Sequence, residues 1–207
     1  MYRMSEVIKS NLQKLIQTHG DINEHLQFLY ELSTECDSIL ECGVRTVVST
    51  WAFMNGLLDN KNPVKKLVCC DLKRSPSIDQ VETLCNTTKI TFTFFEESDL
   101  TIPMQEYDMI FIDTWHIYGH LKRELNKMHP YAKKYIVMHD TEVDKVVGET
   151  IRCKWNSKQQ SIESGYPEEE ITCGLGKAVD EFLKEHSEWK IKIHFTHNNG
   201  LTVFERV

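Results

Sequence analysis

Met109-Ile-Phe-Ile-Asp-Thr-Trp-His-Ile-Tyr118 and Tyr135-Ile-Val-Met-His-Asp-Thr141 decide the fold class of this chain. Each is a short apolar run that breaks abruptly into carboxylate and imidazole side chains. Runs of this length, bounded by polar residues and followed by helical periodicity, read as strands buried on both faces of a parallel sheet. Ligands of open α/β sheets bind just beyond the carboxyl ends of such strands. Asp113, His116, His139 and Asp140 are therefore expected together at one rim of one sheet, where they could carry a metal, a general base, or both.

The same alternation extends in both directions. Strand-type runs at 38–41, 66–71, 90–95, 107–113 and 134–138 are separated by helical patterns at 47–58, at 78–85, and through Leu121, Leu125 and Met128. Strands alternating with helices predict a parallel sheet with helices on both faces. Two helices precede the first strand. One is marked by Val7, Ile8, Leu12, Leu15 and Ile16, and the other opens on a capping box from Asp21 to Glu24 and runs through Leu32. Residues 142–174 break the rhythm, with polar stretches such as Lys158-Gln-Gln-Ser161 and Tyr166-Pro-Glu-Glu-Glu170. A loop this long in a compact domain is usually functional or disordered. A helix at 175–186 follows, then strands at 189–195 and 201–205. Asn199-Gly200 between them signals a hairpin. The sequence thus predicts an α/β domain with a seven-stranded, mostly parallel sheet that ends in an antiparallel hairpin. It is a single domain over 1–207, with leading helices in 1–35 and an insertion at 142–174.

At 207 residues the chain can bury one sizeable core. A net charge of −7 and scattered basic pairs (Lys65-Lys66, Lys73-Arg74, Lys133-Lys134) exclude the basic stripe of a nucleic-acid binder. No apolar run reaches membrane-spanning length. Seven cysteines, an odd number without Cys-x-x-Cys spacing, fit a reducing, cytoplasmic setting. Cys69 and Cys70 lie in one strand and face opposite ways, which suits packing better than zinc.

Two further motifs carry chemistry. In Leu40-Glu-Cys-Gly-Val-Arg-Thr46, Gly43 permits a positive φ or the close approach of a ligand to the backbone. An ordinary strand-to-helix turn carries such a glycine too. The dinucleotide fingerprint and the P-loop are both absent. Asp71, ending the second strand, can accept both hydroxyls of a ribose or cap the next helix.

Strand–Glu-x-Gly, an acid closing strand two, Asp-x-x-His after strand four and a closing hairpin together resemble the class I S-adenosylmethionine-dependent methyltransferases, which have a Rossmann-like fold. The finer similarity is to small O-methyltransferases of the macrolide-sugar and cephalosporin-hydroxylase-like group. It rests on Asp113-Thr-Trp-His116, on His139-Asp-Thr141 and on the tail from Gly174 to Leu183 with Phe195 to Val203. The resemblance implies that Glu41 and Gly43 line the methionine end of the cofactor. It implies that Asp71 binds ribose and that adenine is contacted among Glu97, Ser98 and Asp99. Asp113 and Asp140 would bind a divalent cation, Mg²⁺ or Mn²⁺, and His116 would be the general base, with Asp113 beside it. Where those relatives carry an acid before the second metal-binding aspartate, this chain has His139. One carboxylate fewer weakens Mg²⁺, and an imidazole shifts preference toward Mn²⁺.

The implied reaction needs these groups. A sugar hydroxyl holds its proton tightly, and a histidine titrating near neutrality can remove it as the oxygen attacks the sulfonium methyl. Trp155 and Tyr166 are candidates for stacking on the acceptor, Trp115 and Tyr118 either for an acceptor wall or for core packing, and His120 and His129 for the surface. The implied partners are a small-molecule or glycan acceptor, with neither nucleic acid nor membrane, and a homo-oligomer is left open. Two rival functions use the same residues: a metal-dependent hydrolase built on the Asp/His rim, and a non-catalytic module that binds a nucleoside or a partner.

Overall fold

The computed structural model describes residues 2–207, with side chains from Ser5 onward. The chain runs α1 (Tyr2–Ile16), α2 (Leu26–Ser33), β1 (Ser38–Cys42), α3 (Val48–Asp59), β2 (Lys65–Asp71), α4 (Ser77–Thr88), β3 (Ile90–Glu96), β4 (Tyr107–Ile112), α5 (Tyr118–Met128) and β5 (Ala132–His139). It continues through α6 (Glu149–Arg152), α7 (Ser157–Ser164), α8 (Glu168–Thr172), α9 (Leu175–Glu185), β6 (Trp189–Phe195) and β7 (Leu201–Arg206).

The strands form one sheet in the order β3-β2-β1-β4-β5-β7-β6. The first five are parallel, and β7 runs antiparallel to both β5 and β6. The chain reverses its direction of travel across the sheet between β1 and β4, which opens a crevice at their carboxyl ends. Side-chain alternation divides the core in two. Ile39, Leu67, Met109 and Phe111 pack under α1–α4, whereas Leu40, Val68, Ile110 and Ile136 pack against α5 and α9. Cys69 and Cys70 fall on opposite sides of this divide. Every residue of β4 is buried, so its apolar run answers to two layers of helix at once. A side chain such as Phe111 contributes roughly 2–3 kcal/mol by leaving water. All seven cysteines are free, and no helix among the described residues is long and apolar enough to cross a membrane.

Three sequence expectations are corrected. The box at Asp21 does not cap a helix: Asp21 forms an ion pair with Arg45 at 2.7 Å, residues Asn23–His25 make a 3-10 turn, and α2 begins at Leu26. The cap positions fall instead on Ile22 and His25, neither of which makes a side-chain capping bond. Residues 142–174 are not an irregular loop. They fold into three short helices whose base is closed by a bridge between Val147 and Cys173. Local signals were present there: Asn156 caps α7 by accepting from the Gln159 N–H, and Gly165 (φ 73°) ends it. His120 and His129 are half-buried, not surface residues. His120 faces Asp99, and His129 packs against His186 and Phe182.

Helix α3 meets α2 through Gly56, where a Cβ would overlap Ser33 Cβ and the Tyr30 carbonyl oxygen. Gly56→Ala is expected to force the helices apart and cost about 1–3 kcal/mol, read as a lower midpoint in thermal unfolding. An unchanged midpoint would refute tight packing at this crossing.

Candidate functional site

A cavity of about 740 Å³ opens at the carboxyl ends of the parallel strands. One end is walled by Gly43, Asp71 and the Glu97–Ser98–Asp99 turn, and the other by Asp113, His116 and Asp140. Its size lies within the range of small-molecule pockets.

The first wall is a strained loop. Gly43 sits at φ 82°, and a Cβ there would overlap the Asp113 carbonyl oxygen, so only glycine lets β1 and β4 end this close. Arg45 (φ 46°) and Val47 (φ 63°) are left-handed as well, which a β-branched residue rarely tolerates. Asp71 holds the loop in that shape: its Oδ2 accepts the N–H groups of Val44 and Arg45, each at 2.9 Å. Glu41 is set back from the cavity. It is fully buried, accepting from Ser49 (2.5 Å) and Thr50 (2.8 Å) at the start of α3 and from the Cys69 thiol. It therefore supports the loop from beneath and does not line the methionine end. Glu97, Ser98 and Asp99 all reach the cavity, and Asp99 is the buried one.

The titratable residues expected at the second wall do converge, with Asp113, His116 and Asp140 lining the cavity and His139 buried behind them. His116 Nε2 lies 3.0 Å from Asp113 Oδ1. Its Nδ1 lies 3.0 Å from Asp140 Oδ2, 3.5 Å from Asp144 Oδ2 and 3.7 Å from Glu149 Oε2, yet none of these three is aligned as a hydrogen bond. Burial would lower the His116 pKa, but the pull of the nearby Asp113, Asp140 and Asp144 carboxylates outweighs it and holds the ring well above its ordinary value. Burial would likewise raise Asp113, and His116 and His139 hold it well below the usual carboxylate range. The sequence reading missed Asp144 and Glu149. Asp144 is fully buried and takes a two-pronged ion pair from Arg152 (2.6 and 2.8 Å). No spacing in the sequence hints that Asp144 and Glu149 fold back onto His116.

His139 bears on whether the rim could hold a cation. Its Nε2 faces the carbonyl oxygens of Asp21 (3.1 Å) and Asn198 (3.3 Å), which accept only from a protonated nitrogen. Its Nδ1 therefore faces Asp113 Oδ1 (3.4 Å) and Asp140 Oδ1 (3.6 Å), and it needs a proton or a cation between them. Asp140 Oδ1 is buried without a partner. Donors held at about 2.1 Å from one cation stand roughly 3.0–3.4 Å apart, so the Asp113, His139 and Asp140 set fits a divalent cation. Holding one nitrogen of a ligating imidazole on a carbonyl is how such rings are oriented.

Of the aromatic candidates, Trp115 lines the cavity and stacks on Tyr166 with ring centroids 5.8 Å apart. Trp155 stands half-exposed at the cavity mouth. Tyr118 belongs to the core, with its hydroxyl donating to Glu181 at 2.8 Å.

Comparison with known proteins agrees with this crevice. No protein-family model matches the sequence, and neither does any curated protein. Solved structures do match in shape. An SAH-bound methyltransferase from Podospora anserina overlays with a TM-score of 0.57 over 97% of this chain and 87% of that one, at 14% identity. An O-methyltransferase from Bacillus cereus in complex with SAH gives 0.55 over 96% and 91%, at 13% identity. A methyltransferase from Geobacter sulfurreducens gives 0.55 over 96% and 88%, at 10% identity. The chain has the class I methyltransferase fold. In that fold the cavity described here lies at the switch point where open α/β sheets bind their ligands.

Burial pushes the Glu41 carboxyl from its ordinary 4.5 up to about 7, against the opposing hydrogen bonds from Ser49, Thr50 and Cys69. An acid raised in the folded state adds stability that is complete below its unfolded pKa and is lost as pH rises through its folded one. Parent protein should therefore lose on the order of 3 kcal/mol between pH 4.5 and 7 that Glu41→Gln does not lose. Thermal melts across that window check this, and parallel profiles for parent and variant would refute it.

Proposed function

We propose that this protein is an S-adenosylmethionine-dependent O-methyltransferase whose acceptor is a hydroxyl on a sugar or glycoconjugate. The observation that carries the reading is a single continuous cavity with two chemically different ends. Gly43, Asp71 and the 97–99 turn suit a nucleoside cofactor, and an acid-imidazole rim suits deprotonation of an acceptor. Methyl donor and acceptor would then meet in one chamber, where in-line positioning supplies much of the rate.

In this reading the exposed backbone at Gly43 admits the methionine end of the cofactor. Asp71 accepts the ribose hydroxyls through lone pairs that the loop N–H groups leave free. Ser98 and Asp99 border the adenine. Trp115 and Trp155 offer aromatic faces to a sugar ring. His116 is the residue placed to take the hydroxyl proton, with Asp113 fixing its orientation. Asp113, His139 and Asp140 are the donors for a divalent cation, and their mixed nitrogen and oxygen set favours Mn²⁺ over Mg²⁺. When bound, the cation would lower the pKa of a touching hydroxyl and offset the carboxylate pull that keeps His116 protonated.

Calorimetric titration with S-adenosylmethionine, with and without Mn²⁺, tests the class, and a sugar-acceptor screen tests the substrate. Micromolar binding is expected, and its absence under both conditions would remove the methyltransferase reading. Turnover of a hydrolysable substrate without the methyl donor would favour the hydrolase rival. His116→Ala should lower turnover about 10²–10⁴-fold while leaving cofactor affinity nearly unchanged. Loss of cofactor binding in that variant would overturn the base assignment.

A further inference from the structure

A second convergence of metal-binding side chains, apart from the acid-imidazole rim, lies at the nucleoside end of the cavity and shares Asp99 with it. Asp99 closes the turn after β3, and His120 and Glu124 stand one turn apart on α5. His120 Nε2 lies 3.4 Å from Asp99 Oδ1 and 3.7 Å from Glu124 Oε1. One donor atom from each of the three lies within 4.8 Å of the other two. The side chains of Asp99 and Glu124 are only 7% and 1% exposed.

Among the described residues, no lysine or arginine pairs with these acids, and His120 is the imidazole that faces them. Asp99 Oδ2 is buried with no hydrogen-bond donor, and the Asp99 carboxyl neighbours that of Glu124 as well as His120. Neutral hydroxyls serve the other oxygens: Thr114 Oγ1 donates to Glu124 Oε1 at 2.5 Å, and Ser98 Oγ lies 3.4 Å from Asp99 Oδ1. The nearby cations are engaged elsewhere. Lys127 Nζ donates to the carbonyl oxygens of Asp99 and Ile102, and Arg123 pairs with Glu170 and lies over the Tyr166 ring. Buried carboxyl groups without compensation are costly.

His120 is oriented as a ligand would be. Its Nδ1 meets the Tyr166 hydroxyl at 3.2 Å, which turns Nε2 toward the two acids. Fixing one ring nitrogen so that the other faces a cation is the usual support of a ligating imidazole. The 3.4 and 3.7 Å separations are close to the roughly 3.4 Å expected between tetrahedral ligands at about 2.1 Å from one ion.

We propose that Asp99, His120 and Glu124 form a site for a divalent transition-metal cation, distinct from the set at Asp113, His139 and Asp140. One imidazole and two carboxylates favour Zn²⁺ or Mn²⁺ over Mg²⁺. Asp99 and His120 line the cavity, so the remaining coordination positions open toward it. The ion fastens the turn after β3 to α5 and, through Tyr166, to the inserted helices. A proton shared between Asp99 and Glu124 would relieve the same charge without metal. The proposal does not depend on the methyltransferase reading.

The test uses the full chain carrying Asp113→Asn and Asp140→Asn, which disables the rim set, titrated with Zn²⁺ and separately with Mn²⁺. One ion per chain is expected, with an anomalous diffraction peak about 2.0–2.2 Å from the three donors. Glu124→Gln in this background should weaken binding by at least about 10-fold, and Tyr166→Phe by about 10-fold. Circular dichroism confirms that each variant is folded, and the same peak in crystals of unmutated protein serves if one is not. No bound ion, a peak only at the half-buried group His129, His186 and Glu188, or an unchanged Kd for Glu124→Gln would each overturn the proposal. Loss of S-adenosylmethionine binding alone would leave it standing.

Discussion

Convergence of buried negative charge on His116 is the constraint around which the rest of the molecule is arranged. Asp113, Asp140, Asp144 and Glu149 all lie within 3.7 Å of one imidazole. Carboxylates so close together, two of them buried and two only partly exposed, must be paired. Three distant parts of the chain supply the pairing. Arg152 grips Asp144 from the inserted helices. His139 reaches Asp113 from the end of β5. His116 itself bridges Asp113 and Asp140. Each connection ties an otherwise peripheral element to the crevice.

That constraint also explains the placement of the two chain ends. The carbonyl oxygens of Asp21, before α2, and Asn198, in the hairpin, both meet His139 Nε2. Asn198 further accepts from the Glu24 N–H and donates to the Gly20 carbonyl oxygen. The leading segment and the closing hairpin therefore meet over the rim, and both orient one ring nitrogen. Across the cavity mouth Arg45 holds Asp21, which makes a sequence-level helix cap into a strut between loops.

Most of the fold was legible in the chain. The apolar runs at 66–71, 107–113 and 134–138 are dense because β2, β4 and β5 are covered on both faces, and two-sided burial leaves no polar alternation to misread. Asn199-Gly200 marked the hairpin because left-handed residues are needed there to turn the chain, and Asn198, Asn199 and Gly200 all adopt that region (φ 46°, 68° and 94°). The inserted helices were less legible. They are short and polar, and ion pairs such as Arg123 with Glu170 hold them, not an apolar stripe. Periodicity carries no information about such contacts. Glu41 was misplaced for a related reason. Its motif fixes where β1 ends but not whether a strand residue points into the cavity or under α3, which one step of register decides.

The sequence by itself determined the parallel sheet, its antiparallel close and the meeting of Asp113, His116, His139 and Asp140, because strand ends of one sheet share one rim. Only the tertiary structure decided how those groups are charged and partnered. Asp144 and Glu149 reach His116 because the inserted segment folds back on the rim, where the N–H of Glu149 donates to the His116 carbonyl oxygen at 2.8 Å. The tautomer of His139 follows from two carbonyl groups far away in the chain. Burial likewise set the state of Glu41, which no local pattern encodes. Proton affinities depend on distances between side chains and on exclusion of water, and both arise only when the layers close.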